Sequence, residues 1–219
     1  MAMQALVVED EGLTREYLAT LLRNDYSFDE VLVASDGLTA WELFEQNDIK
    51  FIVVDLLVPE LDGLSLARRV LAGSRGHRIL ALSSECDDFT VREISRSGIL
   101  GYVCKKDISH EVMDEAFREV LGGHVYYSRS VREVMERLQS DPDAYYKILS
   151  DRELQVLRGV AKHKTNEEIA GTLGLSPFTI RRHRHNTMKK LDLKNESSLL
   201  HFALDKGIVK HKSGLDWSG

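Results

Sequence analysis

Residues 51–55 are Phe51-Ile52-Val53-Val54-Asp55, a continuous apolar run that ends on an acid. Runs of this length, rich in β-branched residues, are typical of a parallel strand that is buried on both faces. Pro59 and Asp62-Gly63 in the next loop separate this strand from a helical pattern that begins at Leu64. Because open α/β sheets place their functional groups beyond the carboxyl ends of their strands, we expect Asp55 to lie at the functional edge of a sheet.

Strand and helix patterns alternate through the first half of the chain. Strand patterns occur at residues 5–8, 31–34, 51–55, 79–83 and 102–104. Helical patterns occur at residues 13–22, 38–46, 64–71, 89–97 and 112–121. Since crossovers between parallel strands place helices on both faces, the alternation predicts an α/β fold with a doubly wound, five-stranded parallel sheet.

The composition is that of a globular protein. The chain has 219 residues, of which 43% are hydrophobic and 29% are charged, and this length suits two domains. No apolar run reaches the roughly 18 residues of a membrane-spanning helix, and no signal-peptide pattern precedes Gln4. Cys86 and Cys104 are the two cysteines, a number that fits a reducing compartment. We therefore expect a cytoplasmic protein with no membrane partner.

The charge is divided unevenly between the two halves. From Leu149 onward there are 13 lysines and arginines against 8 acidic residues, a net charge of +5. Residues 1–148 hold 16 basic and 27 acidic residues, a net charge of −11. A basic second domain behind an acidic first one indicates that the second domain binds nucleic acid.

Four of the predicted strands are followed directly by charged or hydroxyl side chains. Glu9 and Asp10 follow the first strand, Asp55 ends the third, Ser83 ends the fourth and Lys105 follows the fifth. The ends of parallel strands share one edge, so these groups should converge. Carboxylate oxygens suit Mg²⁺, which typically adds water and a phosphate to one or two carboxylates. Lys105 and Ser83 can contact phosphoryl oxygens, and the set therefore predicts a site that accepts a phosphoryl group on Asp55.

Residues 4 to about 122 resemble the receiver domain of a two-component response regulator. The resemblance rests on five short stretches in order: Glu9-Asp10, the Asp55 strand with Pro59, Asp62-Gly63, Leu82-Ser83-Ser84 and Gly101-Tyr102-Val103-Cys104-Lys105. Two departures are mild: Ser83 stands where Thr is commoner, and Val58 where Met often occurs. The resemblance implies a flavodoxin-like domain that a histidine kinase phosphorylates.

The same resemblance implies roles for individual residues. Asp55 is then the phosphoacceptor, and Mg²⁺ is the expected cofactor. The expected metal ligands are Glu9, Asp10, Asp55 and the backbone carbonyl of Leu57. The expected switch and phosphate-contacting residues are Ser83, Tyr102 and Lys105. On phosphorylation we expect Tyr102 to turn inward into space that Ser83 leaves.

Two alternatives to this interpretation remain at the sequence level. The chain could be a DNA-binding regulator that acts without phosphorylation and keeps a vestigial acidic pocket. It could also be a phosphohydrolase with an aspartate nucleophile, but such enzymes of the haloacid-dehalogenase kind need an acid two residues further on, where this chain has Leu57. A phosphoaspartate should therefore persist as a signal, and we expect no turnover of an external substrate.

The second half of the chain predicts a helix-turn-helix. We expect a receiver over residues 1–122, a partly helical linker over residues 123–148 and an all-α domain over residues 149–219. Ser150 with Glu153 and Thr165 with Glu168 have capping-box spacing, which predicts two helix starts. Ser176-Pro177 then predicts the start of a basic third helix over residues 177–191. Two helices joined by a short turn, the second of them basic, are typical of DNA binding.

The third helix has an apolar face and a basic face. Helical spacing predicts that Ile180, Thr187 and Leu191 point inward, with His183 and Met188 beside them. The opposite face carries four basic side chains: Arg181, Arg182, His185 and Lys189. Cations on the exposed face of such a helix are typical of a helix that enters the major groove, where Arg can bind guanine.

Residues 149 to 209 resemble a LuxR-type helix-turn-helix domain. The resemblance is carried by residues 149–157, 165–170 and 175–183. Together with a receiver, it is the pairing found in the NarL/FixJ class. It implies that Arg181, Arg182 and His185 face bases, and that the contacts to the DNA backbone come from Thr165, Asn166 and Thr179. It also implies binding to double-stranded DNA as a homodimer through a last helix over residues 196–206.

Overall fold

The structure, a computed structural model, describes residues 3–26, 28–73, 76–142 and 144–209. Contacts divide the chain into two units. The first contains the residues up to Cys86 together with Val91–Val134, and the second contains Asp87–Thr90 together with the residues from Met135 onward. Within the described ranges, no helix combines the length and hydropathy that a membrane crossing requires.

A parallel sheet forms the centre of the first unit. Its strands are β1 (Gln4–Val8), β2 (Glu30–Ala34), β3 (Ile49–Asp55), β4 (Arg78–Ser83), β5 (Gly101–Cys104) and β6 (Tyr126–Tyr127). They lie in the order β2-β1-β3-β4-β5-β6, so β3 lies between β1 and β4. Residues 51–55 of β3 are all buried. The predicted doubly wound parallel sheet is confirmed.

Helices cover the sheet because alternate strand residues point to opposite faces. The helices of this part of the chain are α1 (Gly12–Asp25), α2 (Gly37–Gln46), α3 (Gly63–Gly73), α4 (Asp88–Ser95) and α5 (His110–Gly122). Phe51 and Val53 pack in one cluster with Leu18 of α1 and Phe117 of α5. Ile52 and Val54, which alternate with them, are also buried. Both faces of β3 are therefore covered, as its unbroken apolar pattern predicts.

The sheet has a sixth strand, β6, that the sequence analysis did not predict. The sequence places Tyr126 and Tyr127 in the linker, but they pair with Gly101 and Tyr102 of β5 in parallel register. A strand of two residues is too short to produce a recognisable pattern, so its position depends on β5 and not on its own sequence. It leads directly into the next helix, α6 (Arg129–Ser140).

The second unit is helical. After α6 come α7 (Tyr145–Ile148), α8 (Asp151–Ala161), α9 (Asn166–Leu173), α10 (Pro177–Lys190) and α11 (Glu196–Asp205). Both predicted capping boxes are present, at Ser150 and at Thr165. Gly174 ends α9 with φ 66, in the left-handed conformation that a glycine C-cap favours. The short turn from Gly174 to Ser176 joins α9 to α10, which is the predicted helix-turn-helix.

Gly63 permits a close approach behind the end of β3. A Cβ atom at Gly63 would lie 2.1 Å from the carbonyl oxygen of Asp55 and 2.8 Å from a methyl carbon of Val54. Both distances are shorter than a van der Waals contact, and one of the neighbours is backbone. Only a residue without a side chain lets α3 start here, directly beside Asp55.

We predict that Gly63→Ala destabilises the protein by about 1–3 kcal/mol, because the added methyl group overpacks against backbone that cannot rotate away. Urea unfolding followed by circular dichroism measures this change. Gly73→Ala, at the other end of α3, is the matched control, since nothing lies within 4 Å of an added Cβ there. Equal stability of the two variants would contradict the steric role of Gly63.

Candidate functional site

Asp55 is held in one orientation at the carboxyl end of β3. Asp55 is only 3% exposed. The backbone amide of Leu57 donates to Oδ1 at 2.9 Å, and the Lys105 ammonium donates to Oδ2 at 2.6 Å. Because both oxygens have a fixed partner, the carboxylate is positioned for chemistry at the sheet edge.

Glu9 and Asp10 reach the same edge from the end of β1. Glu9 is fully buried, whereas Asp10 is exposed. The Arg15 side chain of α1 holds their loop by donating to the carbonyl oxygens of Glu9, at 2.7 Å, and of Asp10, at 3.1 Å. Carboxylate oxygens of Glu9, Asp10 and Asp55 all lie within 4.8 Å of one another. The three acids that the sequence predicts as metal ligands are thus together.

The cluster has the donor set that a small hard cation prefers. Lys105 Nζ lies 2.9 Å from Oε1 and 2.8 Å from Oε2 of Glu9. Oε2 nevertheless accepts no hydrogen bond of good geometry from any residue that the structure describes, although it is buried. Three converging carboxylates, one of which has a buried oxygen without a hydrogen bond of good geometry, fit a divalent cation such as Mg²⁺. This cluster could therefore hold a metal ion.

The electrostatics of the cluster follow from burial. Burial raises the pKa of Glu9 above its ordinary value, because the hydrogen bond from Lys105 only partly offsets the cost of burying charge and the negative charge of Asp55 adds to it. Burial alone would lower the pKa of Lys105, but its hydrogen bonds to Asp55 and Glu9 raise that pKa instead. Lys105 is therefore a cation here, whereas Lys106 points into solvent.

Ser83 and Tyr102 meet at the loop that follows β4. Both residues are fully buried. The Ser83 hydroxyl accepts from the amide of Glu85 at 3.1 Å, and the Tyr102 hydroxyl donates to the carbonyl oxygen of Glu85. Tyr102 therefore lies inward in this structure, and its turn on phosphorylation stays a prediction. Both side chains thus bond the same residue of the loop.

The predicted DNA-binding helix is α10, and its faces are as expected. Ser176 caps it by accepting from the amide of Thr179 at 3.1 Å, and Pro177 occupies its first turn. Ile180 and Thr187 are fully buried. The predicted basic residues are all exposed: Arg181, Arg182, His185 and Lys189. The prediction of an inward apolar face and an outward basic face is confirmed.

The three predicted backbone-contacting residues lie around the first turns of α9 and α10. Thr165 caps α9 by accepting from the amide of Glu168 at 3.2 Å, and the Thr179 hydroxyl lies 2.8 Å from the Ser176 hydroxyl. The side-chain oxygen of Asn166 accepts from Arg184 at 2.7 Å. Helix starts attract phosphate groups through their free amide hydrogens. The structure therefore places all three residues at the starts of α9 and α10, and their contact with a DNA backbone stays a prediction.

One residue of α10 that the sequence analysis did not name extends the predicted surface. Phe178 is 74% exposed, an unusual state for a large apolar side chain. It stands three, four and seven residues before Arg181, Arg182 and His185, so helical spacing alone identifies it as part of the same face.

Arg184 binds both Asn166 of α9 and Glu196 of α11 and thereby connects three helices. Because its partners lie 18 and 12 residues away in the chain, sequence spacing gives no signal for it.

Glu153 fixes the far end of α10. This buried carboxylate accepts from the amide of Ser150 at 2.8 Å and from the ammonium of Lys190, the last residue of α10, at 2.7 Å. Burial alone would raise the pKa of Glu153, but the hydrogen bonds from Lys190 and Ser150 outweigh it and hold the pKa below the ordinary value of 4.5. The ionised form therefore stabilises the fold.

We predict that Glu153→Gln lowers the free energy of unfolding by about 1–3 kcal/mol at pH 7, because a charged hydrogen-bond acceptor is lost. Since the folded pKa is lowered, the contribution is complete above pH 4.5 and is lost as the pH falls through the folded pKa. The difference between variant and parent should therefore shrink below pH 4.5. Urea unfolding at a series of pH values measures it.

The matched control is Glu168→Gln, which changes the same capping-box position in α9, where the side chain is exposed. It should cost less, because the hydrogen bond that it removes is exposed to water. A Glu153→Gln variant whose deficit stays constant down to acid pH would contradict the pairing with Lys190.

Two family models match the chain. The model of the response regulator receiver domain matches residues 5–118, which is more than half of the chain. The model of bacterial regulatory proteins of the luxR family matches residues 147–203. The two matches follow one another along the chain, in the same order as the two resemblances found in the sequence.

Two relatives and one solved structure match nearly the whole chain. The response regulator UvrY of Escherichia coli strain K12 is 26% identical over 209 residues, which is 94% of this chain and 95% of UvrY. The transcription regulator BvgA of Bordetella pertussis is 26% identical over 206 residues, or 93% of this chain and 97% of BvgA. RcsB from Salmonella enterica serovar Typhimurium, solved on the rprA promoter with a phosphomimetic, has a similar fold, with a TM-score of 0.64 at 21% identity over 93% of this chain and 98% of RcsB.

Proposed function

Because this chain belongs to the NarL/FixJ class of two-component response regulators, with a receiver domain followed by a LuxR-type helix-turn-helix domain, we propose that it is a DNA-binding transcription regulator controlled by phosphorylation of Asp55. The observation that carries the proposal is the arrangement around Asp55. A buried carboxylate lies 2.6 Å from a lysine ammonium and beside two further acids, as acceptance of a phosphoryl group requires.

The proposed reaction is transfer of a phosphoryl group from a histidine kinase to Asp55. Mg²⁺ held by Glu9, Asp10, Asp55 and the Leu57 carbonyl would supply positive charge to the transferred group. The Leu57 amide fixes Oδ1 of Asp55, and Lys105 is placed to contact a phosphoryl oxygen. Leu57 stands where a phosphohydrolase needs an acid, so this chain offers no group there to speed hydrolysis, and we propose no enzymatic turnover.

Phosphorylation then changes the local free energy enough to operate a switch. The phosphoryl group adds roughly −1.5 to −2 charge at the sheet edge. Lys105 and Ser83 would each donate a charge-assisted hydrogen bond worth about 1.5–3 kcal/mol to the phosphoryl group. The Ser83 hydroxyl can donate while its oxygen accepts from the Glu85 amide. The sum of about 3–6 kcal/mol is similar to the ~5.5 kcal/mol that moves an equilibrium from 1:99 to 99:1.

We predict that Asp55→Asn abolishes phosphoryl uptake from acetyl phosphate and leaves the fold intact, because Asn has the same shape but no nucleophilic carboxylate. Mass spectrometry of the intact protein measures uptake, and chelation of divalent metal should abolish it in the parent. Asp62→Asn is the control, since Asp62 lies in the same loop but only caps α3 through Ser65. Labelling of Asp55→Asn at the level of the parent would disprove the site.

The proposed DNA surface is the exposed face of α10. Its cations can bind phosphates and guanine, and Phe178 offers an apolar contact for a thymine methyl group. RcsB, which shares this fold, has been solved as dimers on DNA, and we propose that this chain also binds DNA as a homodimer, with α11 as the dimer element. Contacts of this kind should make binding strongly dependent on salt concentration.

We predict that Arg181→Ala weakens binding to a selected DNA site by about 1–3 kcal/mol and weakens binding to random DNA much less, because a base contact is lost. Fluorescence anisotropy with both DNAs at one salt concentration measures the two affinities. Arg152→Ala, an exposed arginine of α8, is the control and should change neither. Equal losses on both DNAs would make Arg181 a phosphate contact instead.

A further inference from the structure

The turn that follows Lys105 is bonded to the start of α6. Asp107 ends the short 3₁₀ turn Lys105–Asp107, and its carboxylate binds two serines. Oδ2 accepts from the Ser128 hydroxyl at 2.6 Å and from the Ser130 amide at 2.9 Å, and Oδ1 accepts from the Ser130 hydroxyl at 2.6 Å. We call Asp107, Ser128 and Ser130 the Asp107 clamp.

Ser128 extends the clamp to β5. Its hydroxyl accepts from the amide of Cys104 at 3.1 Å, and its own amide donates to the carbonyl oxygen of Tyr102 at 3.0 Å. Ser128 is 1% exposed and Ser130 is 7% exposed, so the serines are shielded from water, whereas Asp107 is half-buried. Buried polar groups that lose a partner cannot recover it from solvent, and the contacts are therefore costly to break. The start of α6 is thus fastened to the residues on both sides of position 103.

Asp107 also caps α6 from outside that helix. The amide of Ser130 is one of the first four amides of α6, which have no partner within the helix, and Asp107 satisfies it. Burial alone would raise the pKa of Asp107, but the hydrogen bonds from Ser128 and Ser130 outweigh it and hold that pKa below its ordinary value. An ionised carboxylate is favourable at a helix start. The turn and the start of the helix are therefore bonded directly to each other.

The clamp lies at the start of the helix that leads from the first unit into the second. The helix carries the chain from the first unit, which ends at Val134, into the second, which resumes at Met135. At the other end of the clamp, Lys105 is bonded to Asp55 and must shift its ammonium when a phosphoryl group is added there. Displacement of Lys105 can reach α6 through only two intervening residues of the turn.

We propose that the Asp107 clamp couples the phosphoacceptor site to α6. Asp107 is then a positioning residue, through which phosphorylation of Asp55 changes the DNA affinity of the second unit. This inference rests on the proposed function, because it requires that phosphorylation control DNA affinity. Asp107 acts through Lys105 on one side and through Ser128 and Ser130 on the other. Its removal should therefore leave the phosphoryl chemistry unchanged and reduce the response of DNA binding.

The test compares full-length parent and Asp107→Ala. Phosphoryl uptake from acetyl phosphate with Mg²⁺ is measured by mass spectrometry. DNA affinity is measured with and without phosphorylation on a site selected from random DNA by the phosphorylated parent. The coupling ratio is the dissociation constant without phosphorylation divided by that with it. We expect equal uptake and a coupling ratio reduced about fivefold or more in Asp107→Ala, since allosteric couplings usually begin at that size.

Two further variants separate coupling from stability. Asp36 caps α2 by accepting from the amide and the hydroxyl of Thr39, each at 2.8 Å, and its pKa is also lowered, chiefly by the amide bond. Asp36→Ala should lower the melting temperature and keep the coupling ratio of the parent. Ser130→Ala removes one hydroxyl of the clamp, and it should give an intermediate coupling ratio even if Asp107→Ala does not fold.

Three results would overturn the proposal. Parental coupling ratios in Asp107→Ala and Ser130→Ala would reduce the clamp to a structural cap. An equal loss of coupling in Asp36→Ala would assign the effect to general destabilisation. If the parent takes up the phosphoryl group but has a coupling ratio near one, phosphorylation does not control DNA affinity. This result would refute the proposed function, and with it the proposed role of the Asp107 clamp.

Discussion

The Lys105 ammonium between Glu9 and Asp55 is the interaction on which the rest of the first unit depends. Two carboxylates buried this close repel each other, and a cation between them offsets that repulsion. Lys105 can bond both carboxylates only if the ends of β1, β3 and β5 lie at one sheet edge, and the strand order brings them there. The topology and the ion pair thus support each other, because removing one partner leaves buried charge uncompensated.

The same cluster is imperfectly satisfied, and this is consistent with a binding site. One oxygen of Glu9 is buried without a good hydrogen bond, and Asp10 faces solvent beside it. A purely structural ion pair would be expected to satisfy its buried oxygens. Three carboxylates outnumber the one ammonium, so a bound cation would supply the positive charge that this arrangement lacks and would also offset the negative charge of a phosphoryl group.

The sequence predicted the features that depend on local spacing. The apolar run before Asp55, the capping boxes at Ser150 and Thr165 and the basic face of α10 all follow from periods of two or 3.6 residues or from short motifs. The features it did not predict depend on partners far away in the chain. Strand β6 has two residues and takes its register from β5, and Arg184 and Asp107 bind residues 12 to 23 positions away.

The energetics explain why such long-range contacts matter for control. Two new hydrogen bonds contribute about 3–6 kcal/mol. This range barely reaches the ~5.5 kcal/mol that moves an equilibrium from 1:99 to 99:1. If part of this free energy were lost in flexible segments between Asp55 and the second unit, the second unit would not respond to phosphorylation. Two buried serines and a helix start capped from outside bond the segment after Lys105 to β5 and to α6. Rigid coupling is therefore a requirement of a switch with so small a margin, and the Asp107 clamp lies where that requirement is strictest.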